Sequence, residues 1–175
     1  SALERFCKNF LRLQPSAQAR LTVENDDKAN MYSVKDLYEG VYKVVGIPIV
    51  FDYFHHKFCT GDMTEEEALK LAASTWGDIK PCTHYSESRR AEKKLVIEQI
   101  CENNNITMEQ MQDWPTLAGH YKEFSKIKEQ AHSDYIKEEI KDYGLDIDVV
   151  VEAKAKELAF MSEEYKKVLT EVLPC

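Results

Sequence analysis

Four short apolar runs constrain the fold of this chain more than anything else in it: ARLTVE at 19–24, GIPIVFD at 46–52, IKPCTHY at 79–85 and IDVVVE at 147–152. Their Val/Ile stretches do not alternate apolar with polar residues. A strand of that kind is buried on both faces, which suits a parallel sheet covered by helices rather than a half-solvated antiparallel one.

Helical patterns separate the runs. Residues 2–13 place Leu3, Phe6, Phe10 and Leu13 on one stripe. Ser33 followed by Asp36 predicts a capped helix running to about Val45, where Gly46 stops it. Thr64 followed by Glu67 opens another, running to about Trp76 and ended by Gly77. A last helix is expected from about Ala153 to Leu173, stopping at Pro174. Alternation of strand and helix implies right-handed crossovers and a parallel sheet. Residues 91–130 exceed what one crossover needs. They hold an Asn run at 103–105, a Thr107/Gln110 capping pair and a Trp114-Pro115 stop, and are read as a helical insertion.

Each run closes on side chains that bind hard or borderline divalent metals: Glu24, then Asp52 with His55, then His84, then Glu152. Taken singly, an acidic residue past a strand is ordinary turn or cap chemistry. Recurrence at all four ends is what gives the pattern weight, because strand-end side chains of a parallel barrel converge on one face, where such folds carry their active sites. The spacings of 28, 32 and 68 residues correspond to one βα unit, one unit, and one unit plus the insertion. Carboxylates with imidazoles suit Mn²⁺ or Zn²⁺.

The 175 residues, 43% hydrophobic and 31% charged, suffice for one full-sized core. No apolar run approaches the roughly 20 residues that span a bilayer, and no segment reads as a signal peptide. Cys7, Cys59, Cys82, Cys101 and Cys175 are odd in number and lack CxxC pairing, so free thiols in a reducing intracellular compartment, cytoplasm or nucleus, are expected. A net charge of −8 argues against nucleic-acid binding through Lys and Arg. The chain opens on Ser1, as a processed product or a piece of a longer polypeptide would.

The segments LTVENDD (21–27), GIPIVFDYFHH (46–56), HYSESR (84–89), AHSDYI (131–136) and VEAKAKE (151–157) occur in that order. Together they resemble the C-terminal half of a UV damage endonuclease, of the xylose-isomerase-like TIM-barrel group. The resemblance implies an α/β fold of (β/α) TIM-barrel type, about half of a (β/α)₈ barrel. It also implies metal-dependent cleavage of the phosphodiester bond 5′ to pyrimidine dimers and 6-4 photoproducts in double-stranded DNA, with Mn²⁺ favoured over Zn²⁺ or Mg²⁺. Glu24 would be a bridging carboxylate. Asp52, His84 and Glu152 would surround one metal, and His55 and His132 would hold another. His56 would play a supporting or structural part. Such enzymes place a lysine two residues before the third-strand histidine. Here that position is Cys82, with Lys80 two further back, so Glu24, Lys80 and Cys82 are the catalytic candidates. Tyr85, Ser86 and Arg89 are candidates for phosphate contact, and bound cations would offset the acidic charge.

A complete barrel needs about 250 residues. The resemblance therefore implies an N-terminal half, in cis or as a separate chain, or pairing of this chain with itself. Two other readings compete: a metal-dependent sugar isomerase or epimerase of the same barrel group, and a non-catalytic half-barrel.

Overall fold

In the computed structural model, which describes residues 1–161, the four apolar runs become four parallel strands, each shorter than the run that predicts it. All four lie in the first of two structural units, Ser1–Tyr85 with Glu139–Glu152. Helix α1 (Ala2–Phe10) is capped by Ser1, whose hydroxyl accepts from the Glu4 amide. It ends at Phe10, so the expected stripe shortens: Leu13 is exposed and Cys7 takes a buried place beside Phe10. Pro15 then opens a single helical turn, α2 (Pro15–Gln18). The amides of Arg20 and Leu21 bond to the carbonyls of Ala17 and Gln18, which keeps them out of the sheet. Strand β1 is consequently only Val23–Glu24.

The Ser33/Asp36 capping box is present and starts α3 (Val34–Leu37), which passes through a π-helical turn at Tyr38–Tyr42 into α4 (Lys43–Val45). Gly40 in that turn lets α1 approach closely, since a Cβ there would lie 2.5 Å from Leu3 Cδ1. Gly46, at φ 73°, ends the rod in the left-handed region that glycine adopts freely.

Prolines trim the next two strands. Lacking an amide hydrogen, Pro48 and Pro81 cannot donate to a ladder, yet their carbonyls accept from Val23 and Asp148. Strand β2 is Ile49–Asp52, followed by α5 (Tyr53–His56). The Thr64/Glu67 box then opens α6 (Glu65–Ala73), continued by a 3₁₀ turn to Trp76 and stopped at Gly77. Strands β3 (Cys82–Tyr85) and β4 (Asp148–Val151) complete the order β1-β2-β3-β4. This is the neighbour order of consecutive strands in a (β/α) barrel, four of its eight.

Burial follows from position. Every residue of β2 is buried, as its unbroken apolar run requires. In β3, Thr83 and Tyr85 face the core while Cys82 and His84 share the opposite, half-buried face. Strand β4 has one face exposed. Side chains of the α6 terminus hold the start of β2: Thr75 Oγ1 accepts from the Ile49 amide at 2.9 Å, and Trp76 Nε1 donates to the Ile49 carbonyl at 2.8 Å.

The second unit comprises Ser86–Glu138 and the described residues from Ala153 onward. Ser88 caps α7 (Arg89–Asn104), and Asn105, at φ 53°, ends it. The reciprocal Thr107–Gln110 bonds are present, but they introduce a 3₁₀ turn at Gln110–Asp113 instead of an α-helix. Helix α8 (Ala118–Ser125) follows, and Ile97, Cys101, Met111 and Phe124 form a small core. Ala131–Ser133 runs antiparallel to Glu87–Arg89. The amides of Lys154 and Ala155 bond to the carbonyls of Ser133 and Asp134. That is why no α-helix begins at Ala153, contrary to expectation; a 3₁₀ helix occupies Lys156–Met161. The rest of the expected terminal helix lies outside the described residues.

Candidate metal centre

Register brings the strand-end residues together. Asp52 is paired with His84 across β2 and β3, and Glu24 lies beside Val50 across β1 and β2. Glu152 follows β4 directly, its amide bonded to the Tyr85 carbonyl. Asp52 also caps α5: its Oδ1 accepts from the His55 amide at 2.8 Å, which turns the chain and carries His55 back over the strand end.

Glu24 Oε1 lies 3.2 Å from His84 Nδ1 and 3.4 Å from His55 Nδ1. His84 Nδ1 is 3.6 Å from Glu152 Oε1, and His55 Nε2 is 3.8 Å from Asp52 Oδ2. Ligand atoms fall into two overlapping groups, Glu24/Asp52/His55 and Asp52/His84/Glu152, each within 4.8 Å, with Asp52 in both. The five residues read from the strand ends thus converge within one unit.

Electrostatics show how crowded this cluster is. Burial pushes the Asp52 carboxyl up to about 6, with Glu24 adding to the shift and His55 opposing it. Burial also acts to raise Glu24, but His84, together with Asp52 and His55, outweighs it and leaves the carboxyl low. Glu24 in turn holds His84 above the usual imidazole range against burial, helped by Glu152 and Asp52.

Two buried atoms, Asp52 Oδ2 and His84 Nδ1, make no hydrogen bond. Leaving a buried carboxylate oxygen without a donor costs about 1–3 kcal/mol or more. A divalent cation would relieve that cost; carboxylate oxygen suits Mn²⁺ and Mg²⁺, and imidazole nitrogen suits Zn²⁺. The residues therefore fit a divalent metal.

Outside the two ligand groups, the first unit holds His56, Cys82, Lys80 and Tyr85. His56 is buried against Phe51, and burial lowers its pKa. Cys82 is half-buried, and its thiol is pushed up by burial, then by Asp148 and Glu24; it belongs to neither ligand group. Lys80 sits at the opposite, N-terminal end of β3, its ammonium 2.7 Å from Asp146 and 3.1 Å from Asp148. Tyr85 is buried edge-on against Tyr53, on the face of β3 away from His84. In the second unit, Ser86 is buried with no hydrogen bond to its Oγ, and Arg89 Nε likewise makes none. His132 is held in the segment paired with Glu87–Arg89.

The residue that the pattern missed is Asn25. It is buried between β1 and Asp52, and its only signal in the sequence was its place directly after Glu24.

A family model described as UV-endonuclease UvdE matches residues 1–171. The chain belongs to that family. Its UvdE relatives include the UV-damage endonuclease of Neurospora crassa, 38% identical over 98 residues, covering 50% of this chain and 14% of that protein. The UV DNA damage endonuclease of Bacillus pumilus is 41% identical over 98 residues, 54% of this chain and 29% of the relative. That of Bacillus mycoides aligns over 170 residues at 27% identity, 91% of this chain and 42% of the relative. The solved structure "Crystal Structure of SacUVDE" superimposes with a TM-score of 0.63 at 26% identity, covering 97% of this chain and 46% of that one. The chain thus spans less than half the length of these UvdE relatives.

Proposed function

We propose that this chain carries a divalent-metal site of an endonuclease that cuts double-stranded DNA immediately 5′ to UV photoproducts. The observation that carries the reading is the convergence of Glu24, Asp52, His55, His84 and Glu152, from four strand ends, around the unsatisfied Asp52 Oδ2. Membership of the UvdE family favours DNA repair over the sugar isomerase reading. Asp52, His84 and Glu152 would hold one ion, Mn²⁺ by preference, with Glu24 and His55 beside Asp52 offering a second position. When bound, such an ion acidifies a water molecule and offsets charge on a phosphate, which also answers the chain's net charge of −8.

The protein's own contribution is placement. Glu24 Oε1 stands between the Nδ1 atoms of two imidazoles, 3.2 Å from that of His84 and 3.4 Å from that of His55. Asp52 spends one oxygen on the α5 cap and keeps the other for the site. Ser86 and Arg89 would contact phosphate, as the family resemblance implies, whereas the buried Tyr85 acts through packing. The remaining strands of the barrel would come from an N-terminal half, in cis or as a separate chain. Among the described residues no helix is long and apolar enough to cross a membrane. The four cysteines described are free thiols, and a DNA-repair role would place the protein in an intracellular, reducing setting.

Two assays test this. Electron paramagnetic resonance should detect Mn²⁺ bound to the full 175-residue chain, and strand-nicking should be selective for UV-irradiated over unirradiated plasmid once the N-terminal half is supplied. Absence of bound Mn²⁺, or ketose–aldose turnover in place of nicking, would overturn the reading.

A further inference from the structure

We infer that Asn25 is a positioning residue of this metal centre, setting both the Asp52 backbone and the tautomer of His55; the metal part of this inference rests on the function proposed above. Asn25 is 1% exposed, a rare state for a polar side chain unless its hydrogen bonds are satisfied. Its amide grips both backbone groups of Asp52: Oδ1 accepts from the Asp52 N–H at 2.9 Å, and Nδ2 donates to the Asp52 carbonyl at 3.0 Å. The β1–β2 ladder ends at Glu24 beside Val50. Asn25 therefore does with a side chain what the next rung would have done with a backbone, and fixes the residue shared by both ligand groups.

The backbone of Asn25 acts on the second ligand. Its carbonyl lies 2.9 Å from His55 Nδ1. A carbonyl oxygen only accepts, so Nδ1 is the protonated nitrogen. Glu24 Oε1, 3.4 Å from the same atom, makes the same demand. The lone pair of neutral His55 is then on Nε2, the nitrogen that faces Asp52 Oδ2 at 3.8 Å. Two acceptors facing one another call for a cation between them. One residue thus aims a carboxylate and an imidazole at the same point, as partners of metal-ligating histidines generally do.

The test uses the full chain. In metal-free protein at alkaline pH, long-range ¹H–¹⁵N spectra of His55 should show the Nδ1–H tautomer in the wild type and a mixture in Asn25→Ala and Asn25→Ser. Mn²⁺ affinity of both variants should fall about 10- to 100-fold, the range typical of such supporting residues. Thr75→Val is the structural control. It removes a buried side-chain bond to the backbone of the same strand, at Ile49, and should lower Tm without moving either readout. The serine variant keeps a polar group in the buried place, should the alanine variant fail to fold.

Nε2–H in the wild type overturns the inference. So does wild-type Mn²⁺ affinity in the Asn25 variants, or equal loss in Thr75→Val. If the wild type binds no Mn²⁺, the proposed metal site fails, while the tautomer comparison still decides what Asn25 does.

Discussion

The two ends of the sheet in the first unit hold similar residue types under opposite conditions. At the N-terminal end of β3 and β4, Lys80 meets Asp146 and Asp148, with side chains 44%, 89% and 67% exposed. Every charge there has an opposite partner or open water, and such pairs contribute about 0–1 kcal/mol. At the C-terminal end, three carboxylates and two imidazoles crowd together, and Asp52 is fully buried. The difference teaches that an acidic strand end means little until the fold withdraws it from water and aims several at one point. Burial without a counter-charge is costly, and it is retained where something else supplies the charge.

The sharpest break of this contrast is Asp52→Asn. Its Mn²⁺ affinity should fall by more than about 100-fold, beyond the loss expected of supporting residues. Its metal-free Tm should rise, because an amide nitrogen can donate where an unpaired carboxylate oxygen could not. A lower metal-free Tm in calorimetry would show that Asp52 is held by a bond rather than left open for a ligand. Glu24→Gln should cost about 10- to 100-fold in affinity by isothermal titration, since its carbonyl oxygen can still accept from one imidazole.

Smaller effects sharpen the comparison. Cys82→Ser should change Mn²⁺ affinity less than about twofold, and alkylation of Cys82 should be slower than that of an unperturbed thiol, because its raised pKa leaves little thiolate. Protection of Cys82 by Mn²⁺ in that assay would bring the thiol back as a ligand. Lys80→Ala should be the mildest, shifting stability by at most about 1 kcal/mol in urea unfolding and leaving metal affinity unchanged. A large affinity loss would mean that the exposed end of the sheet is coupled to the buried one.

Much of this was legible in the chain. The unbroken Val/Ile runs announced buried parallel strands, and the Ser33 and Thr64 caps with the Gly46 and Gly77 stops bounded the helices between them, because capping chemistry acts within three or four residues. Five of the proposed site residues were readable because each closes a strand or follows one by a helical turn. Less legible was where each strand would start. Pro48, Pro81 and the turn at Pro15–Gln18 shorten them, and that depends on which carbonyl finds which amide. Lys80 and Tyr85 stand close to His84 in the chain, yet one lies at the other end of the strand and the other on its other face.

The sequence by itself determined the kinds of element, their order and the ligand chemistry at their ends, since these rest on local periodicity and residue type. Only the tertiary structure decided that Asp52 stands beside His84, that Asn25 reaches across to the backbone of Asp52, and that one buried oxygen is left without a partner. Those outcomes depend on register and burial between segments about one βα unit apart, and no local pattern contains them.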